Sequence, residues 1–288
     1  MKIFFKILAL TLSLLLFVSC NNGGDHMNPN GNEGGNSTPK KPDPVLTKVI
    51  NPIDIDQAFD SFESENGMPY RLYYPPNYSE EYAYPVILFL HGAGERGTDN
   101  VAPLVHVLQD WFNDTENPIY QSIVIVPQCP EGEQWVNTPW ENGSYDSDAV
   151  GESNAIKEAL AILEDTCNTY SVNRDRIYAM GLSMGGYGTW NLLMNHSDIF
   201  AAGIPICGGA DPSKADILKD IPIHAFHGAI DSVVPVEATD EVVAAIQAAG
   251  GTKIYYDRVD GKDHNVWDYA AACWEVNFWL FDQRKPSK

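Results

Sequence analysis

The stretch "MGLSMGGYGTW", residues 180–190, decides the fold prediction, because it joins two kinds of secondary structure through one serine set among glycines. It follows the apolar run "RIYAM" (176–180), which is typical of a strand, and leads into "YGTWNLLMNH" (187–196), whose spacing predicts a helix. Glycine costs backbone entropy in either element, so Gly181 and Gly185 indicate a turn with no room for side chains. A G-x-S-x-G sequence at a strand-to-helix turn predicts a nucleophile elbow, which projects a serine hydroxyl above the end of a sheet.

Ser183 is therefore the candidate nucleophile, and a serine nucleophile needs a general base to take its proton. In chains with this turn the base follows the last strand and comes after the acid. Of the seven histidines, only His264 satisfies this order, because it lies just past the strand-like run "KIYYDRV" (253–259). The alternative for His264 is a solvated loop histidine.

The candidate acid is Asp231, which lies just past the preceding strand-like run "IPIHAFHG" (221–228). A buried carboxylate at this place would fix the tautomer of the histidine and stabilise its imidazolium form in the transition state. Asp260 and Asp263 are nearer to His264 in sequence, but they share its loop and are less suited to turn back onto it. The alternative for Asp231 is an aspartate that only caps its loop.

The loop "FLHGAGERGTDN" (89–100) leaves an apolar strand and bends through glycines. A glycine loop at this place lets a backbone N–H point toward the carbonyl oxygen of an ester. We expect the N–H of Ala93 to act together with that of Met184 as an oxyanion hole. Gly94, the neighbour of Ala93, is the alternative for the first of these donors.

Strand and helix patterns alternate along the chain and predict an α/β fold with parallel strands joined by right-handed crossovers. The helix pattern at 153–170 opens with Ser153 as the N-cap. The pattern places strands at 70–76, 85–92, 122–128, 176–180, 201–207, 221–228 and 253–259, and helices at 153–170, 187–196, 237–250 and 267–282. We predict one domain over residues 46–288.

The first 20 residues, "MKIFFKILALTLSLLLFVSC", have two lysines, an apolar run and a small residue before a cysteine, which is typical of an export signal. The ending "FVSC" resembles a bacterial lipobox, with Phe17 where leucine is usual, so we expect Cys20 to be lipidated. Residues 21–45 are rich in Asn, Gly and Pro and predict a flexible tether, although a frayed terminus has the same composition. We expect an exported lipoprotein of the cell envelope, periplasmic or attached to the outer membrane; the alternative is plain secretion.

The chain of 288 residues carries 39 acidic against 18 basic residues, a net charge of −21. Such a field repels phosphate backbones and anionic lipid, so we expect no nucleic-acid partner and no membrane contact except through the lipid anchor. Besides Cys20, the cysteines are Cys129, Cys167, Cys207 and Cys273, and their spacing matches no zinc pattern. We expect mostly buried free thiols, although in an exported protein one pair of these cysteines can form a disulfide.

Six segments occur in the order "LHGAGERG", "VPQCPEG", "GLSMGGYGTW", "ICGGAD", "HGAIDSVVP" and "DHNVW". Together they resemble the α/β-hydrolase superfamily. More narrowly, they are similar to bacterial carboxylesterases of the phospholipase/carboxylesterase and polyhydroxybutyrate-depolymerase-like groups, close to the feruloyl and acetylxylan esterases. The resemblance spans nearly all of 46–288. It implies an α/β-hydrolase fold, with a mostly parallel central sheet and helices on both faces.

The resemblance also implies a serine esterase that uses no cofactor and no metal. It assigns the triad to Ser183, Asp231 and His264, and the oxyanion hole to the backbone amides of Ala93 and Met184. The expected substrate is a small-molecule or oligosaccharide ester, with a short acyl or feruloyl group on a carbohydrate.

One long loop, residues 129–150, follows a predicted strand whose carboxyl end should face the site. It contains Trp135 and Trp140, and exposed tryptophans there would stack on an aromatic acyl group or a sugar. The alternative is that these rings only pack beneath the loop.

Two other functions remain open on the sequence. A serine peptidase of the prolyl-oligopeptidase type would use the same three residues, but such relatives carry a large propeller domain for which 288 residues leave no room. A hydrolase-fold protein that binds glycans without turnover would need a defect in the geometry of the triad.

Overall fold

A sheet of eight strands runs through the part of the chain that the computed structural model describes, residues 40–45, 49 and 51–286. Its strands are β1 (Asp60–Glu63), β2 (Pro69–Tyr73), β3 (Tyr84–Leu90), β4 (Ile123–Pro127), β5 (Val172–Leu182), β6 (Ala202–Ile206), β7 (Ile223–Gly228) and β8 (Ile254–Val259). They lie in the order β1-β2-β4-β3-β5-β6-β7-β8. The pairs β1–β2 and β2–β4 are antiparallel, and all other pairs are parallel.

The helices connect these strands and cover the sheet. They are α1 (Ile55–Ala58), α2 (Val107–Asn113), α3 (Ser147–Val150), α4 (Asn154–Thr169), α5 (Met184–Asn195), α6 (Ala215–Leu218), α7 (Glu237–Ala248), α8 (Trp267–Ala272) and α9 (Trp274–Asp282). Short 3-10 helices cover Ala93–Glu95, Pro118–Gln121, Trp140–Asn142 and Pro212–Lys214. Ser153 caps α4, as predicted, by accepting the Ile156 N–H at 3.0 Å.

The central strand β3 explains why helices lie on both faces. All seven of its residues are buried, and successive side chains along a strand point to opposite faces. Leu88 and Leu90 pack with α4, α5, α6 and α7, whereas Ile87 and Phe89 pack with α2, α8 and α9. The α/β class, the mostly parallel sheet and the two helical layers are therefore confirmed.

The structure differs from the sequence prediction in several elements, among them the four-residue helices α1, α3 and α6, which were not predicted. The edge strand β1 was not predicted, because its four residues are all exposed and carry no alternation of apolar and polar positions. The helix predicted over 267–282 is in fact two helices, because Cys273 has a ψ of 76° and turns the chain between α8 and α9.

The parallel strands end together, and this brings their loops to one edge of the sheet. Leu90 of β3 pairs with Gly181 of β5, and the last residues of β7 and β8, Gly228 and Val259, pair with each other. The loops that follow β3, β5, β7 and β8 therefore meet above the same carboxyl edge, where ligands bind in open α/β sheets.

The cysteines and helices of the described residues bear on two further predictions, the state of the thiols and the contact with a membrane. The cysteines Cys129, Cys167, Cys207 and Cys273 are free thiols. Among the described helices, none has the length and apolar character needed to span a bilayer.

The compact unit begins at Lys41, earlier than the predicted 46, and the Pro42 carbonyl accepts the Ala83 N–H at 2.9 Å. The predicted signal peptide (1–20) and Cys20 lie outside the described residues.

Candidate active site

Ser183 occupies a strained turn between β5 and α5. Its φ of 55° and ψ of −118° lie in a region that residues with a side chain rarely adopt. The turn is packed against the end of β3, so that a Cβ on Gly185 would lie 1.9 Å from the Leu90 carbonyl oxygen. A Cβ on Gly181 would lie 2.6 Å from the same oxygen. The glycines on both sides of Ser183 are therefore required by backbone contacts.

The structure brings Ser183, His264 and Asp231 together in one hydrogen-bonded row. Ser183 Oγ lies 2.8 Å from His264 Nε2, and His264 Nδ1 lies 2.8 Å from Asp231 Oδ2. Because Nδ1 faces a carboxylate oxygen, it carries the ring proton of the neutral imidazole. Nε2 is then free to accept the proton of the Ser183 hydroxyl.

The carboxylate of Asp231 is fully buried and accepts hydrogen bonds on both oxygens. Oδ1 accepts the backbone N–H groups of Val233 and Val234, each at 2.9 Å. Oδ2 faces His264 and also His227, whose Nε2 lies 3.2 Å away. Burial alone raises the pKa of the Asp231 carboxyl, but the hydrogen bonds from the two histidines and the two amides hold it well below its usual range. Asp231 is therefore a permanent negative charge.

Of the two alternative acids, neither is hydrogen-bonded to the imidazole. The Asp263 carboxylate accepts the Ser232 N–H at 2.7 Å and the backbone N–H of His264 at 2.8 Å, while Asp260 is exposed. Asp263 thus ties the loop after β8, which carries His264, to the loop after β7, which carries Asp231. The effect is to fix the separation of these two side chains.

The backbone amides of Met184 and Ala93 each begin a helical segment. Met184 is the first residue of α5, and Ala93 is the first residue of the 3-10 helix Ala93–Glu95, whereas Gly94 is its second. The first N–H groups of a helix have no partner within that helix, so they are available to a negative charge. The two amides lie at the ends of β5 and β3, which are neighbours in the sheet.

His91 fixes the peptide that carries the Ala93 amide. Its Nε2 accepts the Cys129 N–H at 2.9 Å, so its proton lies on Nδ1, which donates to the Gly92 carbonyl at 2.6 Å. Burial lowers the pKa of His91 to about 4, which keeps the ring neutral near pH 7. The Gly92 carbonyl belongs to the same planar peptide unit as the Ala93 N–H, so this hydrogen bond also orients that N–H.

The two tryptophans of the long loop lie in different environments. Trp135 has an exposed fraction of 0%, and its Nε1 donates to the His91 carbonyl at 3.0 Å. The prediction that Trp135 is exposed for stacking is therefore wrong, because the ring packs beneath the loop against α5, where Gly188 leaves space for it. Trp140 is half-buried. It lines a cavity of about 380 Å³ together with Gln134, Asn137, Thr138, Pro139 and Glu141.

Sequence reasoning missed an aromatic side chain beside the candidate base. Trp267 is half-buried and its ring meets that of His264 edge to face, with 5.5 Å between the ring centroids. The Trp267 ring also lies near that of His106, with 5.2 Å between the ring centroids. His106 Nε2 in turn lies 3.6 Å from the Glu95 carboxylate. The signal in the sequence was the tryptophan of "DHNVW", three residues after the histidine.

Among the described residues, one group of side chains has the donor atoms of a metal site, namely Cys207, Asp231 and His264, whose atoms lie within 4.8 Å of one another. These atoms are already engaged in hydrogen bonds. Asp231 Oδ2 binds His264 Nδ1, and the Cys207 thiol donates to the His264 carbonyl at 3.0 Å. Burial raises the pKa of the Cys207 thiol, so the thiolate that a metal requires is disfavoured.

The chain is similar to known esterases in sequence and in structure. Residues 61–275 match the model of the family Esterase, described as "Putative esterase". A thermostable esterase of known structure is 35% identical, with a TM-score of 0.69, over 80% of this chain and 64% of its own. A mutant of the feruloyl esterase module from Clostridium thermocellum, complexed with sinapinate, is 17% identical, with a TM-score of 0.59, over 88% of this chain and 99% of its own. The predicted α/β-hydrolase fold is thereby confirmed.

A curated relative is matched over a shorter length. Feruloyl esterase B of Thermothelomyces thermophilus is 28% identical over 130 residues, which is 44% of this chain and 40% of that protein. The chain therefore covers less than half of this relative.

The close approach at the elbow predicts a sharp difference between two glycine-to-alanine variants. Gly185→Ala should lower the melting temperature by at least about 5 °C, because overpacking costs about 1–3 kcal/mol or more and here the obstacle is backbone. Gly94→Ala is the control, because no atom lies within 4 Å of its added Cβ. Thermal melts followed by circular dichroism measure both. Equal melting temperatures would contradict the packing described here.

Proposed function

Because the chain belongs to the Esterase family, we propose that it is a serine carboxylic-ester hydrolase that works through Ser183, His264 and Asp231. One observation carries the proposal. Ser183 Oγ, His264 and the buried carboxylate of Asp231 form an unbroken row of hydrogen bonds of 2.8 Å each. A row of this kind is what a weakly acidic serine hydroxyl needs to become a nucleophile.

The reaction proceeds in two halves. Ser183 Oγ attacks the ester carbonyl carbon while its proton passes to His264 Nε2, and His264 then returns this proton to the leaving alcohol. Water next attacks the acyl-enzyme with His264 as the base, which releases the carboxylic acid and restores the Ser183 hydroxyl. Asp231 stays ionised throughout and stabilises the imidazolium that forms twice in each cycle.

The amides of Met184 and Ala93 are the proposed oxyanion hole. Negative charge that develops on the carbonyl oxygen would be met by two N–H groups that have no helical partner. His91 contributes by holding the Gly92 carbonyl, so that the Ala93 N–H is oriented before the substrate arrives. Preorganised donors of this kind need no rearrangement during the reaction.

The proposed substrates are short acyl or feruloyl esters of carbohydrates. Three observations support this class: the net charge of −21 disfavours polyanionic substrates, Trp140 lines an open cavity, and Trp267 lies beside His264. The relative named feruloyl esterase B supports the feruloyl alternative. Aromatic rings at the edge of a site bind sugars and aryl groups through their faces.

We also propose that the enzyme is an envelope lipoprotein anchored through Cys20. The support is the sequence alone: an export signal ends at "FVSC", and an Asn/Gly/Pro-rich segment follows it. An anchored enzyme needs such a spacer to reach substrates away from the bilayer.

Ser183→Ala tests the reaction. The substitution should lower kcat on p-nitrophenyl acetate by at least about 10³-fold, while the melting temperature stays the same or rises, because only a hydroxyl is removed from a strained turn. The wild-type protein should be assayed beside it on a panel of p-nitrophenyl esters and peptide anilides. Cleavage of the anilides in preference to esters would indicate a peptidase instead, and no turnover by the wild-type protein would indicate a binding protein.

Trp140→Ala tests the substrate class. It should raise KM for a feruloyl or glycosyl ester about 2- to 10-fold and spare p-nitrophenyl acetate, because stacking contributes about 0.5–1.5 kcal/mol and a small acetate does not reach the ring. Tyr255→Ala is the matched control, since Tyr255 is an exposed aromatic residue on β8 away from the cavity. Equal effects on both esters would mean that Trp140 only holds its loop, and a preference for long acyl chains would overturn the substrate class.

Cys20→Ser tests the anchor. The variant should leave the membrane fraction for the soluble fraction with unchanged kinetics on soluble esters, because acyl chains bind bilayers through about 0.8 kcal/mol per buried CH₂ group. Cell fractionation and mass spectrometry of the mature N-terminus measure this. Wild-type protein that is soluble and lacks an acylated cysteine would show plain secretion.

A further inference from the structure

His227 is a second histidine on the carboxylate of Asp231, and the reaction described above does not use it. Both side chains are fully buried, and His227 Nε2 lies 3.2 Å from Asp231 Oδ2. The same oxygen lies 2.8 Å from His264 Nδ1. One carboxylate oxygen is therefore shared by two imidazole rings.

The contacts of His227 determine which of its nitrogens carries a proton. Nε2 faces the Val234 carbonyl at 3.0 Å and the Asp231 carboxylate, and both of these groups only accept hydrogen bonds. Nδ1 faces the Thr239 hydroxyl at 2.8 Å, and the single proton of that hydroxyl goes either to Nδ1 or to the Gly208 carbonyl, which also lies 2.8 Å away. Whichever way that hydroxyl points, His227 must donate through Nε2.

We propose that His227 is a positioning residue for the ester hydrolysis: its Nε2–H, shared between the Val234 carbonyl at 3.0 Å and Asp231 Oδ2 at 3.2 Å, holds Oδ2 in line with His264 and draws negative charge from that oxygen. The inference rests on the proposed function. The amides of Val233 and Val234 hold Oδ1 in the same way, so the carboxylate cannot rotate about its bond to Cβ. Asp231 is thus fixed at both oxygens before His264 is charged.

The shared oxygen gives the proposal an electrostatic consequence. A carboxylate oxygen that also accepts from His227 attracts the His264 imidazolium less strongly than one that serves His264 alone. Removing the His227 donor should therefore keep the base protonated to higher pH. The acid limb of the kcat/KM profile, which reports the free base, should move upward in pH.

Several other titratable groups lie near the pair of His227 and Asp231. Those that face it from neighbouring elements are His264, Asp263, Cys207 and Tyr187. Burial raises the pKa of the Cys207 thiol and of the Tyr187 hydroxyl, so both remain neutral near pH 7. Hydrogen bonds from Ser232 lower the pKa of Asp263, so it remains charged. None of these three groups therefore changes its charge near neutral pH.

His227→Leu is the first test, with kcat/KM on p-nitrophenyl acetate measured across about pH 5 to 9. We expect a loss of about tenfold or more, because a hydrogen bond to a charged group is removed, and an upward shift of the acid limb by about half a pH unit or more. His227→Gln should restore the limb toward the wild-type position, since its amide nitrogen can donate from nearly the same place. Concentrations of active enzyme come from titration with a fluorophosphonate.

His224→Leu is the matched control. His224 lies on the same strand and has its own carboxylate partner, Asp257 at 2.7 Å, but it does not contact Asp231. This variant should leave the acid limb in place. The contrary outcome is that His227→Leu only lowers the fraction of active enzyme, while the acid limb of its kcat/KM profile stays at the wild-type pH. His227 would then be merely structural, and the proposal would be overturned.

A measurement on the wild-type protein keeps the proposal testable if His227→Leu does not fold. Nitrogen-15 spectra of histidine-labelled protein, assigned with His227→Gln, should show a proton on His227 Nε2 throughout the active pH range. A ring protonated only on Nδ1 would overturn the proposal. The two failures are distinguishable: absence of wild-type ester turnover refutes the proposed function, whereas normal turnover with an unshifted limb or the wrong tautomer refutes only the role of His227.

Discussion

The site depends on how closely the turn between β5 and α5 approaches the end of β3. A side chain at Gly185 would lie 1.9 Å from the Leu90 carbonyl oxygen, so the two backbones are in direct contact. This contact leaves Ser183 with a positive φ and directs its side chain away from the sheet. It also brings the amide at the start of α5 next to the loop that leaves β3. The position of the candidate nucleophile and those of the candidate donors for the oxyanion therefore follow from one packing constraint.

A second constraint is the buried charge of Asp231. A carboxylate out of water is tolerated only when its oxygens are fully hydrogen-bonded. Here the donors come from its own loop, from β7 through His227 and from the loop after β8 through His264. Two neighbouring loops must therefore be in place before the charge is satisfied, and the Asp263 contacts with Ser232 and the His264 backbone hold them there.

The sequence predicted those parts of the fold and site that depend on local spacing. The position of Ser183 follows from glycines around a turn, and the places of Asp231 and His264 follow from the ends of two strand-like runs. The surroundings of loop side chains were not predictable, because they depend on distant partners. Trp135 is buried through a hydrogen bond to the His91 carbonyl, 44 positions away. The sequence could suggest His227 only as a strand residue, since its contact with Asp231 requires the loop to turn back.

The loop over residues 129–150 is attached to the rest of the structure at two places, and this limits which of its residues can be replaced without moving it. Trp135 attaches the loop to the His91 carbonyl, and farther along the Tyr187 hydroxyl shares its proton between the Trp140 and Gly143 carbonyls. Between these attachments, Asn137 and Pro139 are exposed and line the cavity, so substitutions there would alter its wall while the contact of Trp135 with the His91 carbonyl stays in place. The outer wall of this cavity can therefore vary in sequence while the hydrogen-bonded row of Ser183, His264 and Asp231 keeps its geometry.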